Sequence, residues 1–317
     1  MTLDDIFEEI KNAENIVVMA HENPDGDAIG SCLAMCNVLR GMGKNVDVLM
    51  RNYPRMFSYL PGLEYIKETT DVETYDMAIA LDCPDLNRIC EDYQTSFNNA
   101  KVTVEFDHHM NNAMFADYNI VDHVNPATCQ ILAHSFQYLG IELTKDIATC
   151  LITGIITDTG GFRNAGTNVD TFDFASTCLE LGVNFTKIYR DAMCVISKAK
   201  FEAQKICMDR MEFFHDGKIA FTYLTGADDE RIGVEDGDHD GIVDIGRSIE
   251  GVEVSIFLYQ RGDGYKASLR SNEYVNVAEI CQTFGGGGHI RAAGANFNMS
   301  LEDAKNAIIA EVDKNIK

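Results

Sequence analysis

His21, Asp25 and Asp27 crowd into the stretch VVMAHENPDGDAIGS, directly after an apolar run and just before small residues that open a helix. A turn or a cap needs one such side chain, not three of a kind that bind metals. Asp82 ends the apolar run YDMAIALD, Asp107, His108 and His109 end KVTVEFDHH, and Asp158 follows LITGIIT. Taken singly, each reads as a turn, a helix cap or a solvated residue. Taken together, they set carboxylates and imidazoles at the ends of four elements, and in an open parallel sheet such ends converge on one ligand site. Carboxylate mixed with imidazole suits manganese, iron or zinc better than magnesium. The donors exceed what one ion needs. Two ions sharing a bridging carboxylate, about 3.5 to 4 Å apart, would bind the attacking and leaving oxygens of a displacement at phosphorus.

The elements that must position these residues alternate. Thr2 and Asp5 form a capping box for a first helix, NIVVMA (15–20) reads as a buried strand, and a helix over about 26–39 leads to the strand NVDVLM (45–50). The strands at 75–82 and 101–109 follow, then helices over about 126–139, capped by Asn125 with Pro126 in its first turn, and about 145–157. Near-continuous apolar strands between helices predict a parallel sheet covered on both faces. Beyond about residue 185 the texture changes. SKAKFEAQKICMDRMEFF (197–214) reads as an amphipathic connecting helix, KIAFTYLT, GVEVSIFLYQ and YKASLRS as strands with RGDG as a hairpin turn, and Ser300 with Asp303 as the capping box of a last helix. The expected organisation is an α/β chain with a catalytic domain over 1–186, a linker helix over 187–212 and a smaller α/β domain over 213–317.

Composition narrows the function. Lys and Arg number 26 against 50 Asp and Glu, a formal charge of -24, which is the wrong sign for coating long nucleic acid. A polyanionic substrate is therefore short, or is received where bound cations make the site positive. The ten cysteines are scattered with no CxxC pair, and no signal peptide opens the chain, which suits free thiols in the cytoplasm; Cys32 and Cys36 read as core. No apolar run is long enough to span a membrane. Gly285 to Gly288 cannot sit inside a strand or helix without cost, but they let backbone amides approach an anion, and Arg270 and His289 are donors that suit a phosphate.

These motifs resemble the DHH phosphoesterases. HENPDGDAIGS is similar to the first motif of that family, ALDCPD to the second, DHH at 107–109 to the third, and ITDTGGF to the fourth; SLRS and FGGGGHIRAAG are similar to the DHH-associated domain that binds nucleotides. Coverage is nearly the whole chain. The size most resembles the bifunctional oligoribonuclease and 3'-phosphoadenosine-5'-phosphate (pAp) phosphatase members, which act on very short RNA, linear dinucleotides and pAp, and a homodimer is open to it. The resemblance implies two divalent ions, usually manganese, one held by His21, Asp25 and Asp82 and the other by Asp27, Asp82, His108 and Asp158. It implies that Asp107 orients an imidazole, that His109 faces the scissile phosphate, and that Arg270, Ser271, Gly287, Gly288 and His289 receive the nucleotide. Met110 stands where many relatives have a small residue or proline, and Asp244 and Gly246 where relatives often have Asn and Leu, which bears on base preference. A pyrophosphatase would carry a different C-terminal domain, and a RecJ-type exonuclease or a membrane-bound cyclic-dinucleotide phosphodiesterase would need more chain. A nucleotide sensor with a decayed site is the reading from another class, and it conflicts with intact metal-type positions.

Overall fold

The computed structural model describes residues 2–164, 166–235 and 237–317. The chain divides between Val195 and Ile196 into two compact units. In the first, helix α1 (Leu3–Asn12) precedes β1 (Asn15–Met19), α2 (Gly26–Gly41), β2 (Asn45–Leu49), β3 (Ile66–Lys67), β4 (Met77–Leu81), α3 (Glu91–Asn98), β5 (Val102–Asp107) and β6 (Tyr118–Val121). Helices α4 (Thr128–Tyr138), α5 (Lys145–Asp158), α6 (Val169–Glu180) and α7 (Phe185–Tyr189) follow.

The six strands form a sheet in the order β3-β2-β1-β4-β5-β6, every neighbouring pair parallel. In this doubly wound order the chain runs outward in both directions from β1 and β4, so the crevice beyond their carboxyl ends is the topological switch point. One face of the sheet packs Ile16, Val18, Ile79, Val104 and Phe106 against α1, α2, α4 and α5. The other packs Val17, Met19, Ala78 and Ala80 against Tyr93 and Phe97 of α3. Burial on both faces explains why the strands read as continuous apolar runs.

Close approach of α2 to α5 depends on glycine. A Cβ on Gly30 would lie 2.6 Å from the Cys150 carbonyl oxygen, and one on Gly154 would lie 2.4 Å from Cys129 Sγ and 2.5 Å from Asp27 Oδ1. The helix expected to be capped by Asn125 begins instead at Thr128, after Ala127, which makes no side-chain cap. Asn125 turns back to donate to Asp122, and the orphan amides of Thr128 and Cys129 donate to Asp27, 101 and 102 residues away. A buried carboxylate from another helix has replaced the local cap.

The second unit holds α8 (Lys198–Asp209), β7 (Glu212–Phe214), β8 (Ile219–Leu224), α9 (Gly226–Ile232), α10 (Val243–Arg247), β9 (Val254–Arg261), β10 (Gly264–Ser271), α11 (Val277–Gln282), β11 (Gly287–His289), β12 (Ala292–Phe297) and α12 (Leu301–Asp313). Its sheet runs β11-β12-β10-β9-β8-β7, antiparallel except for β8 with β9. The hairpin turn between β9 and β10 falls at Gly262 and Asp263, within RGDG, with Gly262 at φ 60. Helix α8 buries Ala203 and Cys207 with Leu224 and Phe257, so it is a core element of this unit. The glycine run, expected to sit in a strand only at a cost, enters one: Gly287, Gly288 and His289 pair with β12. What the glycines permit is close backbone approach, since a Cβ on Gly286 would lie 2.2 Å from the Gly294 carbonyl oxygen and one on Gly288 2.5 Å from that of Ala292.

Gly154→Ala forces a methyl into filled space and is expected to destabilise the chain by about 1 to 3 kcal/mol, read by urea unfolding. Gly41→Ala, where a Cβ meets nothing within 4 Å at the end of α2, is the control and is expected to be neutral or stabilising by up to about 1 kcal/mol. Equal stability of the two variants would show that α2 and α5 can separate freely.

Candidate metal centre

The sequence-predicted donors meet at the switch point. Three groups of ligand atoms lie within 4.8 Å of one another: His21, Asp25 and Asp82; Asp27, His108 and Asp158; and Asp82, His108 and His109. Asp82 is the common member of two of them, and its oxygens point apart. Oδ2 faces His21 Nε2 at 3.6 Å, while Oδ1 faces His108 Nε2 at 3.5 Å. His108 Nε2 also lies 3.2 Å from Asp158 Oδ2. A carboxylate presented to two imidazoles from opposite oxygens has the disposition of a bridge between two ions.

Each side chain is aimed by a different local device. Asp25 is the N-cap of α2, its Oδ1 accepting from the amides of Asp27 and Ala28, so one oxygen builds the helix and the other is left for a ligand. Asp27, in the first turn of α2, is fully buried and held by the α4 amides at 2.6 and 2.9 Å. Asp82 follows β4 at φ 53, a left-handed conformation uncommon outside glycine, with its amide donating to the Phe106 carbonyl. That backbone twist turns the carboxylate to the crevice, at a strain cost of order 1 to 3 kcal/mol. Asp158 is the last residue of α5, where the Asn164 side chain holds its carbonyl at 2.8 Å.

The electrostatics of the cluster fit a cation. Burial first, then the neighbouring Asp27, Asp25 and Asp158, pushes the Asp82 carboxyl well above its ordinary range. Burial does the same to Asp158 and raises Asp27. Among the described residues the ion-pair partners of Asp82 are imidazoles rather than Lys or Arg. Divalent charge at the centre would reverse these shifts and stabilise the ionised forms. Burial also lowers His21, which keeps its imidazole neutral and able to act as a ligand. The donor set, the split presentation of Asp82 and the uncompensated acids therefore all suit a site for divalent metal.

His109 shares a donor group with Asp82 and His108, its Nδ1 3.7 Å from Asp82 Oδ1, but its shorter contact is elsewhere. Its Nδ1 lies 2.7 Å from Asp107 Oδ1, and although burial lowers its basicity, the Asp107 and Asp82 carboxylates more than offset this and raise it. Asp107 shows the reciprocal effect, burial being outweighed by His109 and Asn112 so that its carboxyl is lowered.

In the second unit, register decides which residues share a face. Arg270, Ala292 and His289 form one row across β10, β12 and β11, and Ser268, Gly294 and Gly287 form the next. Arg270 and His289 therefore point to the same side, about 10 Å apart across two strand spacings, with only small side chains between them. A Cβ on Gly287 would meet nothing, so the backbone is open there. Burial lowers Arg270, tempered by Asp244. Ser271, expected beside Arg270 as a substrate contact, turns to the opposite face: it is 2% exposed and its hydroxyl donates to the Val275 carbonyl at 2.7 Å. Strand alternation accounts for this. Arg291 clamps the same loop through the carbonyls of Val275 and Glu273. Glu253, which sequence reasoning missed, is 3% exposed and accepts from the amides of Glu273, Tyr274 and Val275, anchoring the loop that follows Arg270.

The DHH family N-terminal domain model matches residues 15–155, and the DHHA1 domain model matches 216–317. The chain is 32% identical over 310 residues to the bifunctional oligoribonuclease and PAP phosphatase NrnA of Thermus thermophilus, covering 97% of this chain and 92% of that protein. A crystal structure of an exopolyphosphatase-related protein from Bacteroides fragilis superposes with a TM-score of 0.92 at 26% identity, over 98% of this chain and 95% of that one. RecJ from Thermus thermophilus in complex with Mn2+ shares the fold at a TM-score of 0.57 and 13% identity, over 99% of this chain and 53% of RecJ. The fold and the site define a metal-dependent phosphoesterase class. The chain belongs to the DHH family.

Because Asp27, Asp82 and Asp158 are all raised, cation uptake is expected to displace protons, and affinity for Mn2+ to weaken as pH falls. Calorimetry in buffers of different ionisation enthalpy reads the release directly. Binding heats independent of buffer would contradict the upward shift of these carboxyls.

Proposed function

We propose that this chain hydrolyses short oligoribonucleotides and linear dinucleotides to mononucleotides and converts pAp to AMP, using two divalent ions, manganese being the family's usual metal. The observation that carries the reading is Asp82, whose two oxygens serve two groups of donors at the switch point of the sheet. His21 and Asp25 would complete one ion's set; the other's would be Asp27, His108 and Asp158, with His108 as the donor that links them to Asp82. Such ions act as Lewis acids on phosphoryl oxygens and bring the pKa of water toward neutrality.

The protein's own groups do the rest. Asp107 holds His109 by Nδ1, leaving Nε2 to face the phosphate whose P–O ester bond is broken as water adds across it. Arg270 and His289 are donors on one face of the second sheet, and Arg270 can grip two oxygens of a substrate phosphate at once. Gly287 leaves room for a nucleotide to lie against the backbone, and Gly288, in the middle of β11, lets that strand approach β12. The charge of -24 opposes a long phosphate backbone and favours substrates of a few nucleotides. No helix among the described residues is long and apolar enough to cross a membrane.

Manganese-dependent release of mononucleotide from a dinucleotide tests the reading, with activity falling steeply toward strands of about thirty nucleotides. Arg270→Ala is expected to raise KM about tenfold or more with kcat within a few fold, the signature of a lost binding contact. An unchanged KM for the dinucleotide would remove Arg270 from the substrate grip, and equal turnover of long and short strands would overturn the length assignment.

A further inference from the structure

Behind His109 lies a chain of hydrogen bonds that the metal centre does not use. Glu105 and Asp107 alternate onto the same face of β5, and both are 0% exposed. Between them sits the side-chain amide of Asn112, whose Nδ2 donates to Asp107 Oδ2 at 2.7 Å and to Glu105 Oε1 in a short contact. Its Oδ1 accepts from the Met114 amide at 2.6 Å. The orientation of this amide is forced, because reversing it would set its oxygen against two carboxylates and its NH2 against an N–H donor. The loop that carries it is tied to the segment following Asp82 by the Ala113 amide, which donates to the Pro84 carbonyl at 2.8 Å. Glu105 Oε2 makes no hydrogen bond of good geometry, an uncommon condition for a fully buried carboxyl, and the Phe115 amide acts on this carboxyl only as a weak influence. A glutamate kept there at that cost has work to do through its one partnered oxygen.

We propose that Glu105 and Asn112 are positioning residues: Glu105 fixes the Asn112 amide, Asn112 fixes the Asp107 carboxylate, and Asp107 thereby presents His109 in a single tautomer, Nδ1–H inward and Nε2 outward. The inference rests on the reading that His109 acts at the phosphate. Burial pushes the Glu105 carboxyl up to about 7, against the Asn112 contact and with the Asp107 charge, so a neutral Glu105 is accessible near physiological pH. Its acceptor role toward Asn112 survives either protonation state, and an amide in its place would serve equally.

Four variants of the manganese-loaded enzyme test this, with metal content measured alongside and histidine-selective 15N spectra recorded on the Mg2+-loaded form. Asn112→Ala and Glu105→Leu are expected to lower kcat roughly 10- to 100-fold with KM within about twofold and metal content unchanged, as for other groups that orient an active-site side chain. In both, the His109 Nδ1 resonance should shift from a protonated nitrogen toward a tautomer mixture. Glu105→Gln, which keeps the acceptor, should restore both kcat and the single tautomer. If Asn112→Ala fails to fold, the Glu105→Leu and Glu105→Gln pair decides. Unaltered His109 spectra in Asn112→Ala or Glu105→Leu would overturn the proposal, as would equal loss of kcat in Glu105→Leu and Glu105→Gln. His109→Ala separates the two readings: if it leaves kcat unchanged, the role of His109 at the phosphate fails, while the tautomer shift in the other variants still decides whether Glu105 and Asn112 position it.

Discussion

Asp25, Asp27, Asp82 and Asp158 must be held together at one sheet edge although their charges repel and three of them are raised by their surroundings. Much of the first unit answers that constraint. The α4 amides stabilise Asp27 with partial positive charge at a helix start, and Thr128 adds a hydroxyl 3.4 Å from Asp82. Glycines at 26, 30 and 154 let α2 and α5 approach closely enough for Asp27 and Asp158, one from each helix, to face the same imidazole group. Asp82 accepts a left-handed backbone to reach it. These devices lower the repulsion without removing it, and what remains is an affinity for divalent charge.

The second unit solves a different problem. The proposed phosphate grip needs positive donors that are fixed but open, and the register of the sheet sets Arg270 and His289 in one row with Ala292 between them. The buried Glu253 carboxylate, satisfied by three backbone amides, holds the loop beyond Arg270 in place, and Arg291 secures it from the other side. Here burial serves the scaffold. In the first unit it serves the site.

How much of this could be read from sequence follows from what is local. Strand ends carrying His21, Asp82 and Asp107, and the helix end carrying Asp158, are local features, and the alternation of strands and helices predicts their convergence. The cap of α4 was misread because its true partner, Asp27, lies 101 residues from Thr128 and nothing near Asn125 signals it. Ser271 was misassigned because SLRS read as a motif hides the strand alternation that turns its second serine inward. The glycine run reads as costly inside a strand because a propensity argument cannot see Gly294 and Ala292 passing within contact distance. Asn112 was in plain view in DHHMNN, but only the structure shows its amide lodged between Glu105 and Asp107.

The central claim is that Asp82 joins two ions into one centre. Titrating Mn2+ into the wild-type chain and into Asp82→Asn, with bound metal counted after gel filtration, tests it most directly. The account predicts two ions per chain in the wild type, and in the variant loss or severe weakening of both sites together with a fall in turnover of about a thousandfold or more, since a ligand of each is removed. A variant that retains two tightly bound ions and most of its activity, or a wild-type chain that binds a single ion at saturation, would contradict it.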